Sequence, residues 1–177
     1  MSAQTETPNS RTIRIDPVTR IEGHAKVFVN LAEDGSLDNA GLVVNELRGF
    51  EKILVGMEAN RMPHITARIC GVCPTAHHIA ASNALDHACG VVAPPAAMLL
   101  RELMYMGHII HSHALSLFVL QGPDLVLGLD ADPAIRNVVG IVQANPEVAK
   151  KALRIRTVGQ RLNEIVGGRG THPVTSV

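Results

Sequence analysis

The chain has 177 residues, and its 16 basic and 16 acidic side chains leave no net charge when the nine histidines are neutral. A balanced charge with no basic tail argues against nucleic acid as a partner. Hydrophobic residues make up 46% of the chain but aromatic ones only 2%, so any core must be aliphatic. Residues 1–10 are polar and lack the apolar segment of a signal peptide, which predicts a disordered tail and a cytoplasmic protein.

Residues 11–49 alternate between apolar and polar side chains, as the strands of a sheet do. Segments 12–15 and 24–30 are predicted strands, residues 32–36 contain an Asp-Gly turn, and 39–49 is the predicted returning strand. The pattern predicts a small antiparallel β module.

From Phe50 the hydrophobic period changes to that of helices. The predicted fold class is therefore α+β: a β module over residues 11–49, followed by a mainly helical part over residues 50–177. Glycine and proline place a break at 60–63 and a stop for the longest helix at Gly122 and Pro123. The predicted helices cover residues 50–57, 74–89, 95–121 and 146–166.

The most apolar region, residues 95–129, could in principle cross a membrane. Charged residues, three histidines and a Gln-Gly-Pro-Asp segment interrupt it, so no run of about 18 apolar residues remains. We therefore expect a buried helix and no transmembrane segment. His108 and His111 are spaced three residues apart and are predicted to be core or interface histidines.

The last predicted helix is amphipathic. Lys150, Arg154 and Arg161 share one face, which is predicted to meet solvent. Apolar residues lie nearer another face: Val148, Leu153, Val158, Leu162 and Ile165.

The densest group of metal-binding side chains is RICGVCPTAHH, residues 68–78. Cys70 and Cys73 lie just before and at the start of a predicted helix, whose N-terminus stabilises thiolates. His77 follows Cys73 by four residues and lies on the same helix face one turn later. Cys89 is the third cysteine and is predicted to be a small buried hydrophobe.

Four interpretations of this cluster stay open on spacing alone. A thioredoxin-like redox pair needs a strand directly before it, whereas the preceding sequence is helix-like. A structural zinc site needs four ligands, and a second CxxC or HxxxH arm is missing. Cysteines that only pack are rarely found as a helix-start CxxC followed by histidine. The fourth interpretation is a half-site whose remaining ligands lie in a longer chain.

A second motif favours the half-site. RIDPVTRIEGHAKV, residues 14–27, together with RICGVCPTAHH resembles the large, catalytic subunit of nickel-iron hydrogenases. The resemblance continues in the family's order through ELRGFEKIL, GHIIHSHALSLFVLQGPDLVLG and GGRGTHP, and so covers nearly all of the chain after residue 10. It implies the N-terminal part of an enzyme that interconverts H2 with protons and electrons.

The resemblance also implies a role for each matching residue. Cys70 would bind nickel, and Cys73 would bridge nickel to an iron that holds carbon monoxide and cyanide. His77 would donate a hydrogen bond to the bridging sulfur. Glu22 in RIEGH would be the proton-transfer carboxylate, partly buried, and Glu51 would bind a structural Mg(2+). The partner implied is a small subunit with iron-sulfur clusters, with possible further flavin or iron-sulfur electron-transfer subunits.

Two departures from the family pattern matter. The HSHA segment at residues 111–114 replaces the HDHA of membrane-linked enzymes and resembles the cytosolic branch. The family's closing DPCxxC motif is absent, and His172 in GGRGTHP, which matches a histidine near the small-subunit face, lies close to the end. The 177-residue chain alone is therefore predicted to be inactive and truncated. The alternatives are a metal-free respiratory complex subunit of the same fold and a small zinc or redox module.

Overall fold

The structure is a computed structural model that describes residues 11–176, so the predicted tail at residues 1–10 lies outside the described residues. The chain divides into two compact units, one ending at Gly49 and the other beginning at Phe50. The predicted fold class is confirmed, because a small antiparallel sheet precedes a series of helices.

The first unit is a three-stranded sheet in the order β1-β2-β3 with antiparallel pairing throughout. Asp34 shapes the turn between β2 and β3, because its carboxylate accepts a hydrogen bond from the Ser36 backbone N–H at 2.9 Å. The third strand ends at Val44, five residues before the predicted end at residue 49. The strands are β1 (Arg11–Ile15), β2 (Ala25–Leu31) and β3 (Leu37–Val44).

The second unit is helical. The break predicted at residues 60–63 is wrong, because Pro63 lies in the first turn of a short helix, where a missing N–H costs no hydrogen bond. A helix at 138–144 was not predicted; the Asn137 side chain caps it by accepting from the Gly140 N–H at 3.1 Å. The helices are α1 (Phe50–Leu54), α2 (Met62–Thr66), α3 (Pro74–Cys89), α4 (Pro95–Leu115), α5 (Gly122–Leu127), α6 (Val138–Ala144) and α7 (Pro146–Gly167).

The predicted stop of the long helix at Gly122 and Pro123 is also wrong. Residues 116–121 form a π-helical turn, and the helix continues into α5. The wider turn shifts the hydrogen-bond register, so Pro123 falls in the first turn of α5 and tolerates its missing N–H.

The resulting helical segment Pro95–Leu127 has 33 residues and an 18-residue window of mean hydropathy 1.3, of which 28% is buried. By length and composition alone it could cross a membrane, although core helices meet the same test. Arg101 favours a core helix, because its side chain is only 10% exposed and its guanidinium lies 2.6 Å from the Asp86 carboxylate.

Helices α4 and α7 cross closely at two glycines. A Cβ at Gly159 would lie 2.5 Å from the Gly107 carbonyl oxygen and 2.6 Å from the His111 backbone nitrogen. Small residues thus bring α7 against α4. Of the predicted apolar face, Leu162 lies at this crossing, but Leu153 is 63% and Ile165 69% exposed. The basic face is solvent-facing, as predicted.

We expect Gly159→Ala to destabilise the helical unit. Alanine improves helix propensity by about 1 kcal/mol, but the new Cβ meets backbone atoms, and overpacking of this kind costs about 1–3 kcal/mol. A net loss in the free energy of unfolding would be measured by urea denaturation, with Thr157→Ala on the exposed side of α7 as the control. A Gly159→Ala chain as stable as the Thr157→Ala chain would contradict the crossing.

His108 and His111 on α4 are buried, as predicted, at 4% and 7% exposure. Burial lowers the pKa of both below the usual 6.5. His113 lowers the pKa of His108 further, and Arg156 and His108 do the same for His111. Both rings are therefore neutral in the folded chain at neutral pH.

These lowered pKa values make stability depend on pH. Below about pH 6.5 the unfolded chain binds protons at these histidines that the folded chain does not bind. The free energy of unfolding is therefore highest above about pH 6.5 and falls on acidification. Thermal melts should show a lower Tm at pH 5.5 than at pH 7.5, and His111→Gln should reduce that difference. A Tm that stays constant or rises between pH 7.5 and 5.5 would contradict the assignment.

Candidate metal centre

Residues 68–73 form a loop between α2 and α3 that presents both cysteines of the CxxC motif. Pro74 begins α3 as predicted, and Cys73 is the residue directly before the helix. The Cys73 backbone N–H donates to the Cys70 sulfur at 3.2 Å, so the loop folds back on itself. Because α2 is a helix, the strand that a thioredoxin-like redox pair requires does not precede the motif.

The loop and the first turn of α3 bring three ligand atoms together. The sulfurs of Cys70 and Cys73 and a ring nitrogen of His77 all lie within 4.8 Å of one another. All three residues are partly buried, and in the described part of the chain they form the one such group of potential metal ligands. Two thiols and an imidazole are a soft donor set, suited to nickel, low-spin iron or zinc rather than to magnesium or calcium.

His78 does not join this cluster. Its ring is 1% exposed, and Nδ1 lies 3.0 Å from the Pro63 carbonyl oxygen in the first turn of α2. Burial is the main cause that lowers the pKa of His78 below its usual value. A neutral ring whose Nδ1–H points at a carbonyl acts as a structural contact to α2.

His172 reaches the other end of α2. Its Nδ1 lies 2.9 Å from the carbonyl oxygen of Ala67, which is 1% exposed and stands three residues before Cys70. No local pattern links residues 105 positions apart, so sequence analysis could not find this contact. His172 was predicted near the small-subunit face, with packing as the alternative.

The remaining predicted residues lie elsewhere. Glu22 is exposed in the bend before β2, so the expectation of a partly buried side chain is wrong for this chain. Glu51 is exposed in the first turn of α1 and is not part of the cysteine cluster. The prediction that Cys89 is buried is also wrong: it is exposed, because α3 ends there at a left-handed Gly90.

Comparison with known families covers nearly the whole described chain. Residues 48–175 match the family model described as nickel-dependent hydrogenase, and residues 12–47 match the model described as HoxL-like. The chain belongs to the nickel-dependent hydrogenase family. This hydrogenase chain resembles the large subunit of the family over its N-terminal region.

Relatives and solved structures agree with the family models. The chain is 51% identical over 165 residues to a vhu subunit of the F420-non-reducing hydrogenase of Methanocaldococcus jannaschii, covering 93% of this chain and 40% of that one. It is 40% identical to the NAD-reducing hydrogenase HoxS subunit beta of Cupriavidus necator, covering 95% of this chain and 36% of that one. A crystal structure of an NAD+-reducing [NiFe]-hydrogenase in the H2-reduced state superposes with a TM-score of 0.89 at 43% identity, over 94% of this chain and 37% of that one.

The chain thus spans well under half the length of the curated relatives that it matches. Those relatives are named F420-non-reducing and NAD-reducing hydrogenases, in agreement with the branch predicted from the HSHA segment.

Proposed function

We propose that this chain is the N-terminal part of a nickel-iron hydrogenase large subunit that oxidises H2 or reduces protons. The observation that supports the proposal most strongly is the convergence of the Cys70, Cys73 and His77 ligand atoms within 4.8 Å in a chain of this family. In this proposal Cys70 would bind nickel, and Cys73 would bind both nickel and an iron that carries CO and cyanide ligands. Two further thiolates would come from outside this cluster.

When bound, such a centre supplies the cleavage of H2 into two protons and two electrons. The chain's own residues hold and tune it. Soft thiolates suit both metals, and the Cys73 N–H at 3.2 Å from the Cys70 sulfur stabilises negative charge on that sulfur. His77, one helical turn beyond Cys73, would donate a hydrogen bond to the bridging thiolate and adjust its electron density.

Two carboxylates complete the proposal. Glu22 would accept the proton released on H2 cleavage, a general-base role that a carboxylate can fill. Its exposure in this chain leaves room for a covering surface from the remainder of the large subunit. Glu51 would be one oxygen ligand of a structural Mg(2+), the donor type that this ion prefers.

The proposed electron acceptor is a small subunit with iron-sulfur clusters, in a cytoplasmic complex that passes electrons on through flavin or further iron-sulfur subunits. Exposed large apolar side chains support extensive burial by other chain segments. On α4 these include Met98 at 51%, Leu99 at 66% and Leu103 at 43% exposure.

The test is an H2-dependent dye-reduction assay on the complete large subunit in complex with its small subunit. We expect H2 uptake coupled to dye reduction, together with isotope exchange between D2 and water. A metal-free respiratory complex subunit would show neither activity. A zinc or redox module, which the Cys-Cys-His donor set would also suit, would bind zinc or cycle its thiols without consuming H2.

A further inference from the structure

We infer that His78 and His172 are positioning residues that clamp α2 from both ends and so fix the loop presenting Cys70 and Cys73. The inference builds on the proposed function, because it concerns how this loop holds its metal ligands in place. The clamp consists of two hydrogen bonds within the second unit.

Helix α2 is too short to be stable on its own. It has five residues, far fewer than an isolated helix needs to be stable in water. Neither its preceding residue Arg61 nor its following residue Ala67 provides a side-chain cap, so its place depends on contacts from other elements. The position of the loop that follows at residue 68 depends on where α2 ends.

Two histidine rings contact backbone carbonyls at the two ends of α2. His78, one residue after His77 on α3, reaches the Pro63 carbonyl at 3.0 Å, and His172 reaches the Ala67 carbonyl at 2.9 Å. A carbonyl only accepts, so both rings must hold a hydrogen on Nδ1. The start of α2 is thereby held by α3. Its end is held by the loop that follows α7 and also by α3, where the Thr66 hydroxyl lies 3.4 Å from the His77 carbonyl oxygen.

The loop that holds His172 is itself anchored to α7. Its neighbour Pro173 is buried, and the Val174 N–H donates to the Gly167 carbonyl at 2.8 Å. A Cβ at Gly167 would lie 2.9 Å from Pro173, so no room is left for this loop to shift towards α7. The anchored loop therefore holds His172 in place, and the His172 ring in turn holds the Ala67 carbonyl.

The backbone of His172 is in the left-handed conformation, with φ +54. Apart from glycine, asparagine is among the residues that accept this left-handed conformation most readily. Its side-chain amide also places an N–H donor where histidine has Nδ1–H. Asparagine is therefore the substitution that should preserve the clamp, whereas glutamine places its donor one bond further out and leucine has none.

The experiment is amide hydrogen exchange of residues 68–73 in the metal-free 177-residue chain. We expect His172→Leu to accelerate this exchange about fivefold, the effect of losing roughly one hydrogen bond. His172→Asn should restore the original rates. His113→Leu is the matched control, because this exposed histidine bonds the Ile109 carbonyl on its own helix, and it should leave residues 68–73 unchanged.

If His172→Leu does not fold, residues 68–73 should exchange faster in His172→Gln than in His172→Asn. Equal exchange rates in the His172→Asn, His172→Gln and unaltered chains would overturn the clamp. The nickel content of the complete large subunit tests the proposed metal site separately. Absent nickel with a His172-dependent exchange rate would reject the metal role and leave the clamp standing.

Discussion

Glu22→Gln in the complete large subunit should retain nickel and iron but lose turnover by about a hundredfold or more. Glutamine keeps the size and most hydrogen bonds of the glutamate, so the proposed metal binding by Cys70 and Cys73 should not be disturbed. It removes the group that accepts a proton at neutral pH, and loss of a general acid–base step has about this magnitude. Both H2 oxidation and D2–water exchange should collapse, because each requires the proton to leave.

The matched control for this variant is Glu33→Gln, which alters an exposed carboxylate in the turn after β2. It should leave both assays and the metal content unchanged. Near-normal turnover in Glu22→Gln would show that this carboxylate is not the proton acceptor. Loss of nickel from the same variant would instead assign Glu22 a structural role.

Replacing either clustered cysteine should abolish nickel binding in the complete protein. Serine is nearly isosteric with cysteine, but its hydroxyl is a hard, protonated donor at neutral pH and a poor ligand for nickel or low-spin iron. We expect Cys70→Ser and Cys73→Ser each to weaken nickel retention more than about a hundredfold, beyond the effect typical of a lost outer-shell partner. H2 turnover should disappear with the metal.

Cys89→Ser is the control for these variants, because Cys89 is exposed at the end of α3 and outside the cluster. It should keep the nickel and the activity of the unaltered enzyme. Nickel retained in Cys70→Ser would contradict the assignment of this thiolate, and nickel lost equally in Cys89→Ser would point to oxidation or misfolding.

Local signals explain which elements sequence analysis located well. Helix α3 begins at Pro74 and ends before Gly90, since proline suits the first turn and glycine accepts the left-handed cap. Alternating strands and an Asp-Gly turn likewise located the sheet. Proline and glycine misled the prediction at two places. Pro63 lies in the first turn of α2 and not in a break, and the π-helical turn lets the long helix continue past Pro123.

Side-chain burial was harder to predict than secondary structure. The crossing of α4 and α7 uses Gly107 and Gly159, and the predicted apolar residues Leu153, Val158 and Ile165 of α7 are exposed. Hydrophobic periodicity cannot show this, because it registers side-chain polarity and not close backbone approach. Exposed apolar residues in this chain are also surfaces that other segments of a longer protein would cover.

At the candidate site, spacing predicted that Cys73 and His77 lie together, one helical turn apart. Cys70 joins them because its loop folds back, with the Cys73 N–H 3.2 Å from the Cys70 sulfur. The supporting contacts required the tertiary structure. His172 and Ala67 are far apart in sequence, and their contact depends on α7 returning the chain to the end of α2.

The most direct test of the central claim is elemental analysis of the complete large subunit, purified with its small subunit under anaerobic conditions. Nickel should be present, with iron attributable to the large subunit in equal amount once the iron-sulfur content of the small subunit is subtracted. Zinc in place of nickel, or a large subunit without metal, would contradict the assignment of Cys70 and Cys73 to a nickel-iron centre.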